Sequence, residues 1–375
     1  MTHLTVVGHV RLTRRVWWGA PEGTASPADE WLNDGAARVS PGAREMCCRL
    51  GCHPQGFRHS AADLKRLAGL SISPERMRQI VEGEGQRVQV AQASGSPPAA
   101  WQGTECRVRP GGPSRVYVGV DGVKVPMVTV AEKQKRAAGR QRLRGGKPVR
   151  CRRGHTERYK EFKLAAFYDQ DKTRRHAVAT GGNSEALGRL LRREGRRFRI
   201  SEAEEVVALV DGAPWIHTQL KKFRGCTHIG LDYYHFSQHV AEAAKTVFGE
   251  GTPPAQAWRT AVTTLALERG ADEVVDEVTL QARQTRSPTK RQALHRLRNY
   301  VAERTAMIRY PYCLAKGWDI GSGPTEALCK TMTARLRGSG MRWDPAGAGA
   351  LLNLTALVDS GEWNDYWRLQ GVHTN

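Results

Sequence analysis

The sequence predicts an α/β fold of more than one folded unit. The pattern of strands and helices predicts the fold class, and the composition and length predict the number of units. Short, strongly apolar runs of strand type, such as RVYVGVD and EVVALVDG, are separated by segments with helical periodicity. An apolar content of 40% is enough to build a core, and 375 residues exceed what one small domain needs. We therefore expect two or three folded units, at least one of which contains a sheet.

The strand-like runs occur in a defined order. Strands are expected at residues 115–121, 161–169, 174–180, 205–212 and 227–232. The helical segments SEALGRLLRREGRR, APWIHTQLKKF and HFSQHVAEAAKTVFG follow the third, fourth and fifth of these strands. Three adjacent strands followed by alternating helices and strands is the order of a ribonuclease-H-like domain.

The remaining segments suggest how the chain is divided. Residues 251–310 are charged and helical, so an all-α insertion is expected between two parts of a catalytic domain, 115–250 and 311–375. Residues 92–114 have the composition of a linker. They follow an N-terminal region, 1–91, whose first 55 or so residues are rich in Gly, Pro and Arg and are expected to be irregular.

Residues 59–88 predict two short helices joined by a turn that contains Gly. Ser60 and Ser73 are the expected caps, and Pro74 suits the first helical position. Such a pair is a helix-turn-helix candidate, with Arg76 and its neighbours near the start of the second helix. It is equally an ordinary packing unit, so both interpretations stay open.

The charge of the chain favours a polyanionic partner. Lys and Arg number 58 against 37 Asp and Glu, for a net charge of +21 and a pI near 10.1. The basic residues run from Arg11 to Arg368, so they are not a tail. A field of this sign concentrates nucleic acid. No signal peptide or membrane span is expected, and eight irregularly spaced Cys suggest reduced thiols, so a bacterial cytoplasmic, nucleoid-associated protein is expected.

Two of the predicted strands end in the dipeptide Asp-Gly, at Asp121 and Asp211. Such a pair is often only a turn, but here it recurs at the first and fourth strands of one core. Mg²⁺ takes oxygen ligands, and two ions in a phosphodiester-cleaving site activate the attacking oxygen and stabilise the leaving one. Carboxylates at neighbouring strand ends suit such a site.

A third carboxylate is expected from a helix. Glu326 lies two residues after Pro324, in the first turn of a helix preceded by a Gly-rich loop that allows close approach to the sheet. The alternative is that Glu326 only complements the helix dipole. Asp319 and Asp344 are weaker competitors because neither lies on a clear element.

Four segments together resemble a known group of enzymes: YVGVDGVKVP, ALVDGAPWI, LDYYHFSQHV and GWDIGSGPTEALCKTMTARLRGSGMRW. They look like those of DDE transposases of bacterial insertion sequences, close to the Mutator-like superfamily, with the Kra-type elements as the nearest group. The resemblance covers residues 115–370 and continues more loosely through 59–88. Each segment alone is unspecific, whereas the set is specific.

The resemblance implies a ribonuclease-H-like catalytic domain with an all-α insertion, preceded by a helix-turn-helix region. It implies that Asp121, Asp211 and Glu326 are the catalytic residues and hold two Mg²⁺ ions, for which Mn²⁺ can substitute. It also implies double-stranded DNA as the partner, at the terminal inverted repeats of the element and at the target. Because two DNA ends are joined, a homodimer or a larger assembly is expected.

Two further positions match the group, and one feature departs from it. Asp232 and His235 fit an Asp-x-x-His pattern of Mutator-like enzymes, either beside the metal ligands or as a helix cap with its first turn. Related proteins often carry paired Cys near the N-terminus. Here Cys47, Cys48 and Cys52 lack the spacing of two CxxC-like pairs, so zinc is not favoured.

Basic residues cluster beside the predicted catalytic edge. Residues 133–160 contain twelve Lys or Arg and one acid, and they predict a phosphate-tracking loop, although a solvated surface is the default for such a run. Trp343 is a candidate for stacking on an unpaired base, with core packing as the alternative. The residues predicted to contact DNA are Arg76, Arg78, Gln79, Arg150, Arg152, Arg153, Arg192, Arg193, Arg342 and Trp343.

Two rival functions remain. A ribonuclease-H-like nuclease that cuts but joins nothing would use the same carboxylates. A decayed transposase that acts as a DNA-binding regulator would need none of them, although all three are present.

Overall fold

The computed structural model describes residues 2–13, 15–20, 23–25, 38–143, 145 and 154–372. Over these residues the protein is a mixed α/β structure with a five-stranded sheet. Within them, no helix has both the length and the apolar character needed to cross a bilayer. The α/β class predicted from the sequence is confirmed.

The N-terminal segment is more regular than its composition suggests. Strand β1 (Thr2–Thr5) pairs with β2 (Gly8–Arg11), β3 (Trp17–Ala20) pairs with β4 (Gly23–Ala25), and helix α1 spans Pro41–Gly51. The Oγ of Ser40 accepts the backbone N–H of Ala43 at 3.4 Å, and a Pro occupies the first helical position. The expectation of an irregular segment was therefore wrong here, because it overlooked a local helix-start signal.

The two helices expected at 59–88 are present as α2 (Phe57–Ala68) and α3 (Pro74–Ala93). Ser73 caps α3 as expected, with its Oγ accepting the N–H of Arg76 at 3.2 Å. Ser60 does not cap α2. It lies inside the helix, and its hydroxyl donates to the carbonyl of Leu50 at 2.9 Å. A DNA-reading role for the pair remains a prediction.

The central sheet contains β5 (Arg115–Pro126), β6 (Tyr159–Tyr168), β7 (Arg175–Thr180), β8 (Glu205–Val210) and β9 (His228–Leu231). Their spatial order is β7-β6-β5-β8-β9. Strand β6 is antiparallel to both of its neighbours, whereas β5, β8 and β9 run parallel. The parallel pairing of all three strands therefore ends at one level, at Val120, Val210 and Leu231.

Strand β5 is longer than expected, and this changes the position of Asp121. The strand continues through Val123 and Val125, which are buried on the face that also carries Tyr117. Asp121 is therefore opposite Leu164 inside the strand rather than at its end. The alternation of apolar residues beyond the Asp-Gly pair is the signal that the shorter prediction did not use.

The helices after β5 are α4 (Val130–Leu143), α5 (Ser184–Arg197), α6 (Pro214–Lys221), α7 (Tyr233–Phe248), α8 (Pro253–Glu268), α9 (Ala271–Gln284), α10 (Pro288–Ala302), α11 (Tyr310–Ala315), α12 (Gly323–Thr333), α13 (Pro345–Asp359) and α14 (Trp363–Leu369). Helix α4 replaces the first part of the loop expected at 133–160, because its sequence consists largely of good helix formers. The predicted DNA contacts Arg150, Arg152 and Arg153 lie outside the described residues.

The N-terminal helices share a core with the C-terminal ones. Gly85 of α3 lies so close to the backbone of α13 that an added Cβ would be 2.1 Å from the carbonyl oxygen of Ala350.

The segment 92–114 is packed as well, although its composition is that of a linker. Trp101 is buried, and its ring centroid lies 4.7 Å from that of Phe198. The N-terminal helices and the sheet are thus joined by continuous apolar contacts.

Candidate metal centre

Three acidic residues occupy the edge where the parallel strands end. Asp211 directly follows β8, and Asp232 directly follows β9. Val120 pairs with Val210, so Asp121 and Asp211 are the next residues on neighbouring strands. The backbone N–H of Asp232 donates to the carbonyl of Val210 at 2.8 Å, which places Asp232 beside Asp211 on the side away from β5.

Asp232 joins three elements at this edge. Its side chain is completely buried. One carboxylate oxygen accepts the backbone N–H of His235 at 2.8 Å and so caps α7. The other oxygen accepts the backbone N–H of Ser322, in the loop that leads to α12. Both functions proposed for this residue from the sequence, as a cap and as a neighbour of the site, are compatible with this geometry.

Helix α12 brings Glu326 to the same edge. Ligand atoms of Asp232, His235 and Glu326 all lie within 4.8 Å of one another, and the Glu326 side chain is exposed. Such a group can hold a metal ion. Among the residues that the structure describes, Asp121 and Asp211 are not part of a group this tight, so the three predicted catalytic acids share one edge without sharing one cluster.

Close packing fixes α12 against β5. An added Cβ on Gly119 would lie 1.8 Å from Oγ1 of Thr325, the residue before Glu326. One turn further along α12, Cys329 lies close enough to Asp121 for the two side chains to shift each other's pKa. Burial raises the pKa of Cys329, and the neighbouring carboxylate of Asp121 adds to this. Glu326 is therefore held on the same side of the sheet as Asp121.

The electrostatics of this edge favour a bound cation. Burial raises the pKa of the Asp121 carboxyl, and the charge of Asp211 adds to this, against hydrogen bonds from the Gly122 N–H and Cys329. In the described part of the chain, no Lys or Arg nitrogen lies within 4.0 Å of Asp121, Asp211, Asp232 or Glu326. Four carboxylates thus gather without a basic partner in a chain of net charge +21.

Two residues near the end of the all-α segment 251–310 also reach this edge, and the sequence did not predict them. The side chain of Arg304 donates from Nε to the carbonyl of Gly212 at 3.3 Å. It also lies over the ring of Tyr300, at 4.3 Å from the centroid. Burial raises the pKa of Tyr300 to about 12, and the charges of Asp211 and Asp232 contribute to the rise. No local motif marks these positions, because only tertiary packing brings them here.

Five of the predicted DNA contacts line two separate clefts, and Arg76 lines neither of them. Arg78, Gln79, Arg342 and Trp343 line one cleft of about 760 Å³, together with Lys133, Arg136 and Arg140 of α4. Arg193 lines a separate cleft of about 300 Å³. Arg192 lies one residue before it on α5, the helix predicted from its basic face. Segments far apart in the sequence thus meet in the larger cleft.

Several of these basic side chains are already engaged. Arg78 pairs with Glu75 at 2.6 Å and with Glu82 at 2.5 Å, and Arg193 pairs with Glu194 at 2.6 Å. Arg342 pairs with Glu132. DNA phosphates would have to replace these carboxylates to be bound by the same groups.

The proposed base-stacking role of Trp343 is not supported by its surroundings. Only 7% of the residue is exposed, and its indole N–H donates to the carbonyl of Leu336 at 3.1 Å. Its ring packs edge-on against Phe57, with centroids 6.1 Å apart, and lies under the guanidinium of Arg335. The burial of the ring and its bonded N–H fit the core-packing alternative.

When compared with models of known protein families and with curated proteins, the chain matches neither.

Proposed function

We propose that this chain is a DNA transposase of the DDE type with a ribonuclease-H-like catalytic core. The observation that carries the proposal is the gathering of four carboxylates, unpaired with any Lys or Arg of the described residues, at one edge of a sheet in a strongly basic chain. The strand order β7-β6-β5-β8-β9, with β6 antiparallel, supports the assignment of the core. The resemblance of the four sequence segments points to the same class.

The donor set suits the proposed metal. Asp121, Asp211 and Glu326 offer carboxylate oxygens, which Mg²⁺ prefers. Two bound Mg²⁺ ions, or Mn²⁺ in their place, would supply activation of the attacking oxygen and stabilisation of the leaving oxygen during strand cleavage and transfer. The pKa of Asp121 is raised because burial and the neighbouring Asp211 destabilise its anionic form. A bound cation would offset this destabilisation.

The protein residues around the carboxylates orient them. Cys329 of α12 lies beside Asp121, while Asp232 ties the start of α7 to the loop before α12. Gly212 has a φ of +80°, a conformation that favours Gly. The chain leaves β8 at Asp211 and changes direction at Gly212. The carboxylate of Asp211 accepts the N–H of Ala213 at 2.9 Å. Backbone N–H groups thus fix the orientation of the Asp211 and Asp232 carboxylates at this edge.

The partner in this proposal is double-stranded DNA, at the element ends and at the target. The larger cleft, lined by basic residues of α3 and α4 and called the basic cleft below, would hold the DNA phosphates. The α2–α3 pair would distinguish the terminal repeats. Since two ends are processed together, the active form would be a homodimer or a larger assembly on DNA, in a bacterial nucleoid.

The experiment that tests the proposal is Mg²⁺-dependent cleavage of DNA carrying the sequences that flank the coding region. The wild type is expected to cleave, whereas Asp211→Asn is expected to bind the DNA and leave it intact. Asp276→Asn, an exposed position on α9, is the matched control and should cleave normally. A fully active Asp211→Asn would refute the metal-ligand assignment.

A second assay separates the proposal from a nuclease that shares the carboxylates. Pre-cleaved element ends are offered together with a target plasmid, and covalent joining is measured. Joined products support a transposase, whereas cleavage without joining identifies a nuclease. Specific DNA binding with neither activity, at every Mg²⁺ and Mn²⁺ concentration, would identify a DNA-binding regulator.

A further inference from the structure

We propose that the imidazole of His235 is a direct metal ligand. Together with Asp232 and Glu326, a carboxylate that the proposed function also assigns to Mg²⁺, it forms a position whose nitrogen donor favours a divalent transition-metal ion. The proposal deepens the proposed function by specifying the metal at one part of the same edge. Only the role of the ion in DNA cleavage rests on the proposed function. The binding itself can be tested without DNA.

The distances fit a single ion. Two ligand atoms that each lie about 2.1 Å from one ion are at most about 4.2 Å apart. Three ligand atoms evenly spaced around one ion at this distance are mutually no more than about 3.6 Å apart. The ligand atoms of Asp232, His235 and Glu326 are all within 4.8 Å of one another, so side-chain shifts of up to about 1 Å would bring them to one ion. The Glu326 side chain is exposed and the His235 side chain is half-buried, so both can adjust.

The three side chains have donor capacity to spare. The cap on α7 uses the backbone N–H of His235, not its ring, and the ring makes no hydrogen bond to the part of the chain that the structure describes. Asp232 accepts one backbone N–H on each oxygen, which leaves a lone pair on each. It is also a completely buried carboxylate without a Lys or Arg partner among the described residues, which is costly unless another cation is close.

The mixed donor set selects the type of ion. Mg²⁺ binds oxygen almost without exception, whereas an imidazole nitrogen suits the transition metals and Zn²⁺. Asp121 and Asp211 offer only oxygen and lie beside this position. The edge therefore presents two donor sets of different selectivity, and the nitrogen-containing one depends on His235.

The chain provides a matched control in His239. It lies one turn further along α7, and its ring stacks on Tyr300 with centroids 3.8 Å apart, outside the cluster. Burial lowers the pKa of His239, and the charges of Arg304 and His235 add to this. Replacing it by Gln changes a neighbouring histidine without removing a proposed ligand.

The test uses the untagged full-length chain and Mn²⁺ as a paramagnetic probe. Electron spin-echo envelope modulation of bound Mn²⁺ should show coupling to a ¹⁴N nucleus in the wild type and in His239→Gln, but not in His235→Gln. Zn²⁺ affinity, measured by equilibrium dialysis, should fall at least about tenfold in His235→Gln, since even the loss of a residue behind a ligand costs about that much. Circular dichroism verifies that both variants fold.

Two results would overturn the proposal: absence of ¹⁴N coupling in the wild type, or its persistence in His235→Gln. Neither result depends on DNA cleavage. If the ¹⁴N coupling is absent while Mg²⁺ still supports cleavage, His235 is not a ligand and the proposed function stands. If the coupling is present while no DNA substrate is cut or joined, the metal position stands and the proposed function fails.

Discussion

Thr325 sits directly on the backbone of Gly119, with its Oγ1 1.8 Å from where a Cβ would be. Gly119→Ala should therefore push α12 away from β5 and displace Glu326 from the edge. We expect a loss of about 1–3 kcal/mol in the free energy of unfolding, which is typical of overpacking. We also expect a larger loss of DNA cleavage than of DNA binding. Chemical denaturation and a cleavage assay measure the two effects.

The control for this change is Gly349→Ala, within α13. An added Cβ there meets nothing within 4 Å, so the helix should gain about 0.5–1 kcal/mol. If Gly119→Ala were as stable and as active as Gly349→Ala, the close contact between α12 and β5 would be refuted.

Metal binding should be visible in the thermal stability of the protein. Asp121→Asn removes a buried charge that Asp211 repels, so the metal-free variant should melt at a higher temperature than the metal-free wild type. Mg²⁺ at one hundred times its Kd should stabilise the wild type by about 2.7 kcal/mol. The variant should gain much less. Calorimetry with and without Mg²⁺ gives the comparison, and an equal Mg²⁺ effect in both proteins would contradict it.

A buried ion cluster away from the metal edge makes stability depend on pH. His176 is completely buried, with Nε2 3.1 Å from Glu194 and Nδ1 3.2 Å from Glu362. Burial lowers the pKa of His176, but the two glutamates outweigh it and the pKa is raised overall. This contribution is present below the ordinary His pKa of about 6.5 and is lost as the pH rises through the raised value.

The pH dependence of stability that Glu194 contributes has the opposite sign to that of His176. Burial acts to raise the pKa of Glu194, but His176 and Arg193 hold it at about 2. Its contribution is present above the ordinary Glu pKa of about 4.3 and is lost as the pH falls towards 2. The cluster therefore stabilises the fold most between the ordinary Glu pKa of about 4.3 and the ordinary His pKa of about 6.5.

Replacing His176 tests this dependence. His176→Phe leaves buried carboxylates without one of their partners, so we expect a loss of about 3–5 kcal/mol near pH 6. The fall in stability above the ordinary His pKa should also become shallower. Urea unfolding at a series of pH values measures both quantities, with the exposed His59→Gln as control. Parallel curves for wild type and His176→Phe would disprove the role of the cluster.

Local signals in the sequence were sufficient for much of this fold. Ser73 followed by Pro74 predicts the start of α3, and the apolar runs ending near Asp211 and Asp232 predict β8 and β9, because caps and burial act over a few residues. Contacts between distant segments were beyond such signals. Cys329 lies beside Asp121 only because α12 docks on β5, and the burial of Trp343 depends on its packing against α2. The approach of Arg304 to Gly212 is likewise a product of tertiary packing.

The α2–α3 pair can be tested as a sequence-reading element. Gln79 lies in the first turns of α3 and lines the basic cleft. Gln79→Ala should reduce the preference for terminal-repeat DNA over random DNA by up to about 1–3 kcal/mol, with little effect on affinity for random DNA. Competition titrations with both DNAs measure the ratio. Equal losses on both would indicate that α3 does not read bases.

The basic cleft should hold phosphates, and its salt dependence can reveal this. Arg136 and Arg140 project from α4 into the cleft, and neither has a carboxylate within 4.0 Å in the described part of the chain. Unlike Arg78, they can bind a phosphate without breaking an ion pair.

The double variant Arg136→Gln with Arg140→Gln should weaken binding to all DNA sequences. It should also reduce the slope of log K against log salt concentration by about 1.8, since each phosphate contact contributes about 0.9. Arg66→Gln, at an exposed position of α2 that does not line the cleft, should leave the slope unchanged. An unaltered slope in the double variant would mean that DNA follows another surface, with the basic face of α5 as the next one to test.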